Sequence, residues 1–204
     1  MKTDQHFWWT ILVRGFLALI AGSAVMVIPD MARTLLLLPM AIVVAILALA
    51  VYGILDSVLV FVTSYMAASR PAKVALRVQG VVGVTVGILL YQVFFDYVQL
   101  PWFLILIAIQ ALSTAIAEFI VARHSMTNFT SMWNFAAAGV AFLFGCAYLY
   151  AVFVLAVSMT PQEISWLVFG YLLAFGIAQC LTAARMLYAD HHIILADLPS
   201  TAGQ

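Results

Sequence analysis

Gly53-Ile54-Leu55-Asp56 sits inside an apolar run from about Leu35 to Thr63, so it carries a carboxylate into a stretch long enough to cross a membrane. The same pattern, a small residue, an Ile, any residue and a polar side chain, returns as Ala115-Ile116-Ala117-Glu118 and Gly176-Ile177-Ala178-Gln179. The copies lie about sixty residues apart, each within a long apolar run. A charged side chain in such a run is costly, so a polar position repeated in this way calls for a structural or functional cause.

Of the 204 residues, 67% are hydrophobic and 8% charged, too few charges to cover the surface of a soluble domain of this size. Long apolar stretches alternate with short polar breaks, the pattern of an all-α polytopic membrane protein whose first partner is the lipid bilayer. The formal net charge is zero and there is no long basic cluster, which argues against nucleic acid as a partner. The whole chain, 1–204, reads as a single integral membrane domain.

Six spans follow: about Trp8 to Ile28, ending at Pro29-Asp30; Leu35 to Thr63, with Pro39 in its first turns; Val74 to Val93; Pro101 to Arg123; Met132 to Met159; and Ile164 to Met186. Residues 187–204 then form a solvated cytoplasmic tail. Lys2, Arg14, Arg70, Lys73, Arg77, Arg123 and Arg185 fall on one side and only Arg33 on the other, so both termini are expected in the cytoplasm. Trp8, Trp9, Tyr97, Trp102, Trp133 and Trp166 stand near span ends as interfacial anchors. Lys2 and Ala21-Gly22-Ser23-Ala24 have some features of a secretory signal, but Arg14 interrupts its apolar region, so the first span is expected to stay.

The odd-numbered spans repeat as well. Gly15 and Gly22, Gly80 and Gly87, and Ala138 and Gly145 share one spacing, and each pair precedes its small-Ile-x-polar partner by 35 to 38 residues. The unit is a helical hairpin, and the chain is three tandem parallel hairpins, about 8–63, 74–123 and 132–186. The glycines Gly15, Gly22, Gly53, Gly80, Gly87, Gly145 and Gly176 have a packing explanation. Helices in lipid associate through close backbone approach, as the small-xxx-small pairs Ala18 with Gly22, Gly83 with Gly87 and Ala111 with Ala115 permit.

Trp9, Arg14-Gly15, Gly22, Ile28-Pro29 and Gly53-Ile54-Leu55-Asp56 resemble the HdeD-like acid-resistance membrane protein family. Phe169-Gly170-Tyr171, Phe175-Gly176-Ile177 and Ala183-Ala184-Arg185-Met186 add to the resemblance, which covers the chain from about Trp8 to Met186. The middle hairpin departs from the pattern, with Ala115 in place of glycine and no basic residue directly before Gly80. The resemblance implies six helices and a stress-related role in a bacterial inner membrane, and offers no catalytic residues to carry over.

Arg14, Asp56, Arg77, Glu118 and Gln179 are the candidate intramembrane polar layer. Gly53, Asp56, Ser57 and Ser64 share one stripe of the second span, and Gln110, Ser113, Thr114, Ala117 and Glu118 one stripe of the fourth; both stripes should face the bundle interior. Arg14 matches the depth of Asp56 and is its expected partner, with Arg77 serving Glu118. Three readings remain open: pairing that sets the register of the hairpins, proton uptake by buried acids in a sensor or conductor, and contact of the basic rim with anionic lipid or a partner. Without a certain basic partner, Glu118 is the better candidate for proton uptake.

Catalytic chemistry has little to stand on. No Ser-His-Asp arrangement, phosphate loop, metalloprotease helix motif or CxxC occurs, so no catalytic residue, cofactor or small-molecule substrate is assigned. Cys146 and Cys180 lie within spans and read as small packing residues rather than a disulfide. His6, His124, His191 and His192 fall on the cytoplasmic side; Asp190-His191-His192 with Asp197 is too sparse to assign a metal. A homo-oligomer is left open.

Overall fold

The computed structural model describes residues 8–34, 38–67, 69–95, 100–124, 128–154 and 160–196. Among them are six helices: α1 (Trp8–Thr34), α2 (Leu38–Met66), α3 (Arg70–Phe95), α4 (Leu100–Arg123), α5 (Asn128–Phe153) and α6 (Pro161–Ala196). All six are long and apolar enough to cross a membrane, and the chain is a multi-pass membrane protein. Large apolar side chains such as Phe16, Ile20, Val51, Val81, Ile116 and Leu143 stand exposed around the outside. Water would penalise such a surface; lipid does not.

Several helix ends differ from the sequence expectation. Helix α1 runs through Pro29-Asp30 to Thr34, because a proline deletes one backbone hydrogen bond and a long helix with its other bonds intact absorbs that loss. Helix α3 begins at Arg70, where Ser69 caps it through Ala72 N–H at 3.3 Å and its carbonyl takes Lys73 N–H at 3.1 Å. Helix α5 spans Asn128–Phe153 rather than Met132 to Met159, and residues 155–159 lie outside the described ones. Helix α6 starts in a capping box: Thr160 N–H and hydroxyl donate to Glu163 Oε2 at 2.7 and 3.0 Å, and Glu163 N–H donates to Thr160 Oγ1 at 3.3 Å. It continues to Ala196, so residues 187–196, expected as tail, belong to the helix backbone.

Each helix packs against its sequence neighbours, and α6 closes on α1, giving a ring of six alternating helices. The hairpins expected from the repeat are present, but the closest packing joins successive hairpins: α2 with α3, α4 with α5, and α6 with α1. Glycine explains where the closest approaches fall. A methyl added to Gly15 would lie 2.7 Å from Cys180 Sγ and 3.0 Å from the Gly176 carbonyl oxygen, and one on Gly176 would meet Leu19 and the Gly15 carbonyl. Gly87 faces Ile54 and the Ala50 carbonyl on α2, while Gly145 faces Leu112 on α4. The small residues on each odd helix therefore face the even helix before it around the ring.

One apolar core, including Val25, Leu49, Leu90, Leu104, Ala141 and Leu172, draws on all six helices. For description, the end of the bundle holding the start of α1 and the end of α6 is the terminal end. Trp9, Trp102 and Trp166 are exposed near helix ends, as anchors require, while Trp8 and Trp133 are half-buried and Tyr97 lies outside the described residues.

Candidate functional site: a buried polar layer

The three repeated polar residues converge on the inside of the ring. Asp56 on α2, Glu118 on α4 and Gln179 on α6 are all buried, and Arg14 reaches them from α1 with only 2% of its surface exposed. Arg14 Nε donates to Asp56 Oδ1 at 2.7 Å, and Nη2 lies 3.5 Å from Oδ2. Its Nη1 donates to Glu118 Oε1 at 3.0 Å, and Gln179 Nε2 donates to the same oxygen at 3.0 Å. The Phe175 ring lies 5.8 Å from the guanidinium carbon, and Tyr52 and Tyr171 stand close enough to act electrostatically on Arg14 and Asp56. Four helices are thus tied by one guanidinium and one amide. A buried ion pair of this kind is weak evidence for net stability, but losing either partner leaves an expensive orphan charge.

The expected pair of Arg14 with Asp56 is present. Arg77, the expected partner of Glu118, is not in the layer: it is exposed, with its guanidinium carbon 5.3 Å from the Tyr65 ring centre. Helical geometry gives the reason. Gln79 occupies the interior face of α3, and two residues back places Arg77 roughly 200° around the helix. Arg14 serves Glu118 instead.

Gln79 was not singled out by its sequence, although Gln79-Gly80 occupies the place in its repeat that Arg14-Gly15 holds in the first. It is buried, and its Nε2 donates to Thr114 Oγ1 at 3.1 Å. The polar stripes face inward as expected: Asp56, Ser57 and Ser64 are buried on α2, and Thr114, Ala117 and Glu118 on α4, with Gln110 and Ser113 half-buried. Hydroxyls mostly satisfy themselves on the preceding turn, Ser57 to the Gly53 carbonyl at 2.6 Å and Thr182 to the Ala178 carbonyl at 2.9 Å. Thr63 also reaches Thr10 across the α1–α2 seam at 3.3 Å.

Every fully buried polar or charged residue described lies within a turn of this layer or on its terminal side. Toward the opposite end, the buried side chains are aliphatic or aromatic, Val25, Ile46, Leu90, Leu104, Val152 and Ile164 among them, with the hydroxyls of Tyr148 and Tyr171 as polar exceptions; Tyr148 donates to the Leu167 carbonyl at 3.4 Å. Cys180 is half-buried against Gly15, while Cys146 is exposed rather than packed inside. His124 is exposed and contacts the Ile120 carbonyl at 2.9 Å through Nδ1. His6, Asp197 and the side chains of Asp190, His191 and His192 lie outside the described residues, which contain no group of three or more metal-ligating His, Cys, Asp or Glu side chains. Compared with protein families, with curated proteins and with solved structures, the chain finds no match, and the HdeD-like resemblance rests on its sequence motifs alone.

Proposed function

We propose that this is a non-enzymatic integral protein of a bacterial inner membrane with a protective role under stress, acid stress first among the conditions to test. One observation supports it most: Arg14, Asp56, Glu118 and Gln179 bind one another, and no charged side chain is buried between that layer and the far end among the described residues. A bundle closed in this way suits a component that must keep its shape while its surroundings change. The motif resemblance to HdeD-like proteins supplies the stress context. With Arg14 inside the bundle, Lys2, Arg70, Lys73, Arg77, Arg123 and Arg185 still outnumber Arg33, which supports cytoplasmic termini.

A small-solute or proton transporter is the second reading, favoured by two buried carboxylates facing a single guanidinium. Two measurements separate the readings. Liposomes carrying wild-type protein should show the proton and solute leak of empty liposomes, as should Asp56→Asn and Glu118→Gln. Deleting the gene in its own host should lower survival after acid exposure, and re-expression should restore it. Flux that depends on Asp56 or Glu118 would replace the protective reading with transport. Unchanged survival across stresses would remove the protective role.

A further inference from the structure

The charges around Arg14 do not balance. One guanidinium faces two carboxylates, Asp56 and Glu118, and all three side chains are buried. Among the described residues no other cation is at hand: α3 offers Gln79 here and α6 offers Gln179, the small residues Ala137, Ala138 and Ala141 are buried on α5, and Arg77, Arg123 and Arg185 are exposed. Tyr52 and Tyr171 add phenols and no positive charge.

Beside this layer, where α2, α3 and α4 meet, two buried side-chain oxygens lack any hydrogen-bond partner: Gln79 Oε1 and Gln110 Oε1. Gln79 is 2% exposed and its amide is fixed by the bond to Thr114, which lies one helical turn from both Gln110 and Glu118 on α4. Gly83 has no side chain, and the Ser57 hydroxyl sits where its Cβ would be, with Gln110 Nε2 2.9 Å and Oε1 3.2 Å from that point; the missing side chain is what brings the Ser57 and Gln110 side chains together at this seam. The two described donors to Glu118 both meet Oε1, leaving Oε2 as an acceptor. The two unpartnered atoms at this seam are both oxygens, and the neighbouring layer has one positive charge for two carboxylates.

A buried water would satisfy the oxygens and leave the charge. A divalent ion would overcompensate it. Hard cations take carboxylate, carbonyl and hydroxyl oxygens, and sites for such ions in membrane proteins lie among helices at mid-bundle depth. We propose that the seam between α2, α3 and α4 binds a small monovalent cation of the sodium class, held by Gln79, Gln110, Thr114 and Ser57 oxygens and balanced by Glu118. This goes beyond the protective role and does not depend on it.

Thermal unfolding of the purified full-length protein tests the site, with sodium, lithium, potassium or choline chloride at constant ionic strength and pH. Saturable binding to the folded state should raise Tm by about 3–5 °C in sodium relative to choline. Gln79→Leu and Gly83→Ala should abolish that difference; the first removes a ligand oxygen and the second drives a methyl into the Ser57 hydroxyl and the Gln110 amide, displacing both. Glu118→Gln should abolish it too, by removing the charge. If a variant fails to fold, the wild-type titration decides alone. Equal Tm in every cation overturns the site, as does a Tm that responds to pH but to no metal cation, because a proton then carries the missing charge. Retention of the sodium shift in folded Gln79→Leu and Gly83→Ala places binding elsewhere and overturns it as well.

Discussion

The first and second hairpins each place a polar residue before a glycine, Arg14-Gly15 and Gln79-Gly80, and use the pair differently. In both, the glycine lets α1 or α3 press against the preceding helix in the ring: Gly15 against Cys180 and Gly176 on α6, Gly80 against Phe61 on α2. In both, the residue before it points inward and is 2% exposed. Arg14 collects two carboxylates, whereas Gln79 holds Thr114 and leaves an oxygen unpaired. The third hairpin has Ala137-Ala138 at this place and contributes only packing. Repetition therefore set the geometry, three inward positions around one ring, and divergence set the chemistry. A lone arginine among three equivalent places gives the hairpins one register in which a single guanidinium reaches both acids, and register is the best-attested use of a buried polar group.

Truncating Arg14 and Gln79 should give very different losses. Arg14→Ala strands two buried carboxylates, and denaturant unfolding in detergent should show a loss of about 3–5 kcal/mol. Gln79→Ala removes one interhelical hydrogen bond, for which about 0.6 kcal/mol is typical within a bilayer. Equal losses would mean that the two positions are not chemically distinct. The packing half of the comparison predicts an intermediate effect. Gly15→Ala forces Cβ against the backbone of α6 and should cost about 1–3 kcal/mol by the same assay. Gly139→Ala, with nothing within 4 Å of the added methyl, should be neutral to within about 0.5 kcal/mol. If Gly15→Ala is also neutral, the α1–α6 contact is looser than described. A small effect is also expected of Gln79→Leu, which trades an unpaired oxygen and one hydrogen bond for apolar volume and should stay within about 1 kcal/mol of wild type in choline chloride.

Much of this was legible in the residues. The repeated small-Ile-x-polar motif and hydropathy gave six helices, an inward polar layer and the pairing of Arg14 with Asp56, because depth along a helix follows from counting residues. Distance along the chain puts Arg77 at a depth that suits Glu118, but its azimuth on α3 turns it outward against Tyr65, and a count of residues alone misses that rotation. The contact between Arg14 and Glu118, 104 residues apart, depends on α6 closing the ring against α1, and a repeat spacing specifies a unit without saying how units close. Gln79 carried a readable signal, its alignment with Arg14, that is visible only when polar and charged residues are treated as equivalents. Helix starts were misplaced where Thr160-Pro161-Gln162-Glu163 and Ser69 looked like loop polarity and are caps.

Arg14 binds both acids at once. Double-mutant cycles on unfolding free energy test it directly, with Arg14→Ala combined in turn with Asp56→Ala and with Glu118→Ala. Each double variant should lose less stability than its two single variants together, with a coupling of about 1–3 kcal/mol in both cycles. Additive losses in either cycle would contradict the shared guanidinium.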